Sequence, residues 1–258
     1  MSDIEKLSAY QSLADDLSSL IHSRIEAATP VEVLSQRGDK ILQVVEEANG
    51  QRFVTRSFHE DAVRYIEGRG TSFTEAWDAM HSTFSGVGIE ILPSSLLRQE
   101  GEYPFIAVSE YIPEEEDMTD VSTETKKALA YSLGQLLKPE NPYLPAPEMV
   151  NRGMFQPIKQ EDGSLRVVMV DTDPHMIDNP SRGRDMLIAH YIERFGDLVW
   201  NEWCSDDERQ DVAVSLVLSL SEVLGDSLGD IQSKTGIAFM DVHMMSNGLD
   251  PREMGLFR

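Results

Sequence analysis

The sequence is short of several things, and each shortage closes a class of function. It has a single cysteine, Cys204, which excludes an intrachain disulfide and a cysteine-based metal centre. Basic residues are scarce, 22 Lys and Arg against 45 Asp and Glu, for a formal net charge of −23. That balance argues against direct binding to nucleic acid or to an anionic membrane. It permits a basic protein partner. The opening Met1-Ser-Asp-Ile-Glu-Lys has no basic start and no apolar core, so no secretory signal is expected. Long apolar runs are missing too. The most apolar helical stretch, Val212–Leu220, is too short to span a bilayer. A soluble, cytoplasmic protein is the expectation. No Gly-x-Ser-x-Gly, His-Glu-x-x-His, phosphate-binding Walker loop or dinucleotide fingerprint occurs. Internal repeats and low-complexity linkers are also absent.

What is present is organised around Arg166–Pro174. Val167, Val168, Met169 and Val170 make a short apolar run of the kind buried on both faces of a sheet. The run stops at Asp171-Thr-Asp173, two carboxylates that can converge on one hard cation. Equally, they can simply stop the strand and cap the next helix. Glu161-Asp-Gly163 is a tight-turn signal, so residues 154–159 and 165–170 are expected to pair as a hairpin.

Upstream, residues 3–27 have the apolar spacing of an amphipathic helix ended by Pro30. Strands are expected at Val31–Ser35, Ile41–Glu47 and Arg52–Phe58, with Asn49-Gly50 as a type I′ turn between the last two. Ser72-Phe-Thr-Glu75 reads as a capping box. Phe73, Ala76, Trp77, Met80 and Phe84 give the helix behind it an apolar stripe, which is expected to pack on the sheet. Gly88–Pro93 and Pro104–Tyr111 read as two more strands. Helices are expected over Thr123–Leu137, Arg184–Cys204 and Asp206–Ser233. A short strand, Gly236–Met240, precedes an irregular tail. The domain reading is an N-terminal helix (1–30), a sheet-rich lobe (31–113) and a helical lobe with an inserted hairpin (114–258).

This order of elements resembles the protein kinase-like superfamily, which includes the aminoglycoside phosphotransferases. Phe53-Val-Thr-Arg56 stands where that family has Val-Ala-Ile-Lys. The helix over Thr74–Phe84 is similar to the regulatory helix. Phe105-Ile-Ala-Val-Ser-Glu-Tyr-Ile112 is similar to the fifth strand and hinge. Val168-Met-Val-Asp171 resembles the strand that delivers the metal-binding aspartate, with Thr172-Asp173 in place of Phe-Gly. The implied fold class is α+β and two-lobed, a small antiparallel-sheet lobe with a larger, mainly helical one. The resemblance further implies ATP and Mg²⁺ as ligands. Arg56, with Glu75 or Asp78 orienting it, and Glu110 and Ile112 would hold the nucleotide. Asp171, Asp173 and Asn247 would hold the metal, and Asp241 would act as base.

The departures bear on activity. The turn at Gln36–Lys40 holds only Gly38, so it cannot wrap phosphates as a glycine-rich loop does. Arg56 replaces lysine, keeping the charge with a different reach and a forked shape. Glu148-Met-Val-Asn151 stands where the catalytic loop is expected and lacks its base. Met240-Asp-Val-His-Met-Met-Ser-Asn247 resembles that loop but lies after Asp171, the reverse of the family order. Three readings remain: a phosphotransferase acting on a protein or small hydroxyl substrate; a pseudokinase-type binding module; and an acidic protein that binds and inhibits a basic partner. Each site residue also has a bland alternative: Arg56 as a paired surface arginine, Glu75 as a cap, Asp241 and Asn247 as turn residues.

Overall fold

In a computed structural model of the chain, the structure describes residues 21, 23–25, 27–37, 40–113, 116–141, 144–145, 150–160, 162–170, 177–178 and 184–225. These fall into two compact units. One comprises residues 1–72 and 92–113, the other 73–91 and 114–258.

The first unit is built on a five-stranded antiparallel sheet: β1 (Thr29–Arg37), β2 (Lys40–Glu46), β3 (Arg52–Phe58), β4 (Ser94–Arg98) and β5 (Phe105–Glu110), in the order β1-β2-β3-β5-β4. β3 therefore pairs with a strand nearly fifty residues downstream, through Arg56↔Ala107 and Phe53↔Glu110. Pro30 sits inside β1, where an edge strand tolerates its missing N–H. Helix α1 (Glu60–Glu67) follows β3; His59 caps it, its Nδ1 accepting from the Asp61 amide.

The β2–β3 connection corrects the type I′ expectation. That turn needs positive φ at both central residues, and no residue other than glycine has positive φ among those described. The Gly50 amide donates to the Glu47 carbonyl, and the Glu47 amide to the Gln51 carbonyl. This is a three-residue loop, a type I turn completed by Gly50 at φ 85°. Asn49 stays at negative φ because its Oδ1 accepts from the Gln51 amide at 2.8 Å, an Asx turn.

The expected strand at Gly88–Pro93 is likewise corrected, because the fourth strand of the sheet is Ser94–Arg98. Gly88, at φ 85°, breaks any strand there. Ile89 and Met169 are both buried in the hydrophobic core of the helical unit, and Ile91 forms a parallel bridge to Met169.

The second unit contains α2 (Phe73–Gly86), which starts directly after Ser72 and buries all five of its stripe residues. Met80 and Phe84 enter the core of this unit. Helix α3 (Thr123–Gln135), capped by Ser122, lies against α5 (Arg209–Leu224). Between them in sequence, α4 (Arg184–Asp197) runs into a π-helical turn, Leu198–Trp203, which buries Trp200 and Trp203. A two-stranded sheet pairs β7 (Phe155–Lys159) with β8 (Leu165–Met169), the hairpin read from the sequence. A shorter one pairs β6 (Leu144–Pro145) with β9 (Ile177–Asp178). Among the described residues, no helix is long and apolar enough to cross a membrane.

Candidate functional site

The β7–β8 hairpin repeats the chemistry of the β2–β3 loop. The Gly163 amide, at φ 84°, donates to the Gln160 carbonyl, and Asp162 Oδ1 accepts from the Ser164 amide at 2.9 Å. Aspartate here does what asparagine does at position 49. Hydrogen bonds from Ser164, hydroxyl first and then amide, hold the Asp162 carboxyl below its ordinary value. The turn fixes the register that buries Val168 and Met169. The far end of β8 is anchored twice. The Met169 amide donates to the Glu90 carbonyl at 2.8 Å, and the Val170 amide to the Met154 carbonyl at 2.9 Å. β8 is thus a paired, buried strand at its end. The aspartates themselves, Asp171 and Asp173, lie outside the described residues, as do Asp241 and Asn247. Among the described residues, no three His, Cys, Asp or Glu side chains gather as metal ligands.

Arg56 is described, and it sits in the middle of the sheet. Its register partners are Leu42 on β2 and Ala107 on β5, and Leu96 on β4 continues the same rung. Alternation along β3 puts Val54 and Phe58 on the same face as Arg56. Arg56 is half-buried on this strand. Glu110 is three rungs away in register and, by the same alternation, on the opposite face. It is exposed, and Ile112, just beyond the strand, is half-buried. The Tyr111 amide between them still donates to the Arg52 carbonyl, which extends the ladder by one bond. Arg56, Glu110 and Ile112 therefore share one sheet unit, with the Arg56 and Glu110 side chains directed apart. Glu75 is an exposed acid in the first turn of α2, where a carboxylate favours the helix N-terminus, and belongs to the helical unit.

The segment Glu148–Asn151 is described only from Val150. Val150 is buried, and its carbonyl accepts two hydrogen bonds from the Arg194 guanidinium, at 2.7 and 3.1 Å. Arg194 on α4 thus pins Val150.

Sequence reasoning missed the most buried charge among the described residues. Lys126 on α3 is 0% exposed, with Nζ 2.5 Å from Glu208 Oε1 and 3.2 Å from the Thr119 carbonyl. Glu208 also accepts from the Ser205 amide and the Thr123 hydroxyl, both at 2.9 Å. Burial pushes the Glu208 carboxyl up, yet the bonds from Lys126, Ser205 and Thr123 prevail and leave it lowered. The sequence did carry a signal. Lys126 occupies the helical stripe of Leu129, Ala130 and Leu133, where a charge must be paired.

The described residues have an α+β fold: an antiparallel sheet in the order β1-β2-β3-β5-β4 in one unit and a mainly helical second unit with a β-hairpin. No protein-family model matches the sequence, and no curated protein does. Among solved structures the chain is similar to the pseudokinase DRIK1 (drought responsive inactive kinase 1) bound to ENMD-2076. The identity is 12%, the coverage 88% of this chain and 85% of that one, and the TM-score 0.42. It is also similar to the kinase domain of maize SIRK1 (sucrose-induced receptor kinase 1) bound to AMP-PNP. There the identity is 9%, the coverage 88% and 87%, and the TM-score 0.38.

Proposed function

We propose that the chain is a kinase-like nucleotide-binding module of the pseudokinase type, in which Arg56 contacts the phosphates. The observation that supports it is the setting of Arg56: a half-buried arginine on the central strand, in register with Leu42, Ala107 and Leu96 and on the same strand face as Val54 and Phe58. An apolar row gives a base or sugar a surface to lie on, and a forked cation gives phosphate oxygens a bidentate partner. The glycine-poor Gln36–Lys40 turn and the lack of a base in Glu148–Asn151 favour binding over turnover.

In the same proposal Asp171 and Asp173, with Asn247, are the oxygen ligands for a Mg²⁺ accompanying the nucleotide, a cation that would neutralise phosphate charge. Asp241 is the base of the transferase alternative. Glu110 and Ile112 are the hinge positions beside the nucleotide.

Calorimetric titration of ATP, with and without Mg²⁺, into the wild type and Arg56→Met tests this. The wild type binds, and Arg56→Met weakens binding by about 10- to 100-fold, since a charged hydrogen bond is worth about 1.5–3 kcal/mol. Equal affinity of the two proteins, or no binding by the wild type at millimolar ATP, would refute the proposal. Steady ATP turnover abolished by Asp241→Asn would replace the pseudokinase reading with the transferase.

A further inference from the structure

Among the described residues, helix α5 carries an exposed apolar stripe. Val214 is 39% exposed and Leu218 is 56% exposed, one turn apart on the solvent side. Exposed Asp211 precedes them and exposed Glu222 follows, so the stripe reads Asp211, Val214, Leu218, Glu222 at helical spacing. Helix α3 runs alongside in the same direction. Lys126 and Thr123 meet Glu208 near the start of both helices, and Gln135 and the Tyr131 carbonyl meet Ser219 further along. Tyr131, 39% exposed, donates its hydroxyl to Glu222 and so adds an aromatic ring at that end. Glu124 on α3 is exposed beyond the other end. The cation beside it, Lys127, already pairs with Glu124 at 3.0 Å.

We propose that the face formed by Tyr131, Val214 and Leu218, framed by Glu124, Asp211 and Glu222, docks a basic amphipathic helix of a partner protein. The chemistry selects that occupant. An apolar stripe of one helix is matched by the apolar stripe of another, laid into the shallow surface between α3 and α5. The acidic frame then demands cations on the flanks of the incoming helix. A second copy of this chain would bring the same acids against themselves across a two-fold axis. Nucleic acid and anionic membrane are repelled by a net charge of −23.

A labelled synthetic peptide of leucine and lysine patterned as an amphipathic helix is the probe, with the same residues shuffled as its control. Fluorescence anisotropy reads binding to the full chain. The patterned peptide binds more tightly than the shuffled one. Leu218→Ser weakens it about ten-fold, as expected for a half-exposed leucine that becomes buried on docking. Asp211→Asn weakens it less and flattens its salt dependence. Val33→Ser alters an equally exposed apolar residue on β1 and leaves binding unchanged. Circular dichroism confirms that each variant is folded. Equal binding of the two peptides, or an unchanged affinity in Leu218→Ser, or an equal loss in Val33→Ser, would overturn the proposal. So would a dimer in sedimentation that Leu218→Ser dissociates, because the occupant would then be a second copy.

Discussion

Replacing Lys126 by methionine removes a fully buried ammonium while nearly keeping its volume. The carboxylate of Glu208 then loses a partner at 2.5 Å in a setting where its side chain is only 11% exposed. Breaking a buried pair from one side typically costs about 3–5 kcal/mol, because the remaining charge is stranded. The lower end applies here, about 3 kcal/mol, since Glu208 keeps the Ser205 amide and the Thr123 hydroxyl. All three tryptophans, Trp77, Trp200 and Trp203, belong to the helical unit, so tryptophan fluorescence during urea unfolding reports that unit. In a thermal melt the same loss lowers Tm by roughly 6–12 °C for a unit of this size. The dependence on pH has a definite sign. The folded Glu208 carboxyl lies below its ordinary value, so its contribution is fully present above the unfolded value of about 4.3 and disappears as pH falls through the folded one. The gap between wild type and Lys126→Met should therefore be widest near neutrality and close on acidification, as Glu208 protonates and no charge is left stranded. The double variant Lys126→Met, Glu208→Leu should recover most of the loss, since apolar replacement of a buried pair is often neutral. A loss below about 1 kcal/mol at neutral pH, or a double variant no more stable than the single one, would refute the pairing argument.

Two further outcomes are set by the packing of the same helices. A Cβ at Gly134 would lie 2.5 Å from Ser219 Oγ and 2.7 Å from Ser219 Cβ, with the Leu220 amide nitrogen at 3.2 Å behind it. Gly134→Ala should thus cost about 1–3 kcal/mol in urea unfolding by forcing α3 from α5, although alanine is the better helix former. The Cys204 thiol is pushed up to about 12, first by burial and then by the Glu208 charge, so it should resist a thiol-reactive dye at pH 8 and react fully once the chain is unfolded. Rapid labelling of the native protein would contradict its burial.

The β7–β8 turn illustrates why local signals were readable. Asp162-Gly163 specifies both a side chain that bonds two residues ahead and a residue free to take positive φ, whatever surrounds it. The α2 stripe is of the same kind. Phe73, Ala76, Trp77, Met80 and Phe84 fall on one face by helical period alone, and all five are buried. Asn49-Gly50 shows the limit of such signals. The dipeptide fixed a hairpin, but whether Asn49 took positive φ depended on a side-chain bond to Gln51 that forms within the closed loop.

Elements whose causes lie within a few residues were settled by the chain's local chemistry alone: the hairpin partners of β2–β3 and β7–β8, the helices and their buried stripes. Partners far along the chain were chosen by packing in three dimensions. Residues 88–93 are apolar enough for a strand, yet Ile89 was drawn into the helical core, Ile91 was bridged to Met169, and the strand role passed to Ser94–Arg98. Register across β3 and β5 set Arg56 beside Ala107 and turned Glu110 to the other face, which no local pattern encodes. Lys126 became a buried cation only because Glu208, eighty-two residues away, arrived beside it. Burial of a charge is favourable or ruinous according to its partner, and a partner at that separation is specified by packing rather than by periodicity.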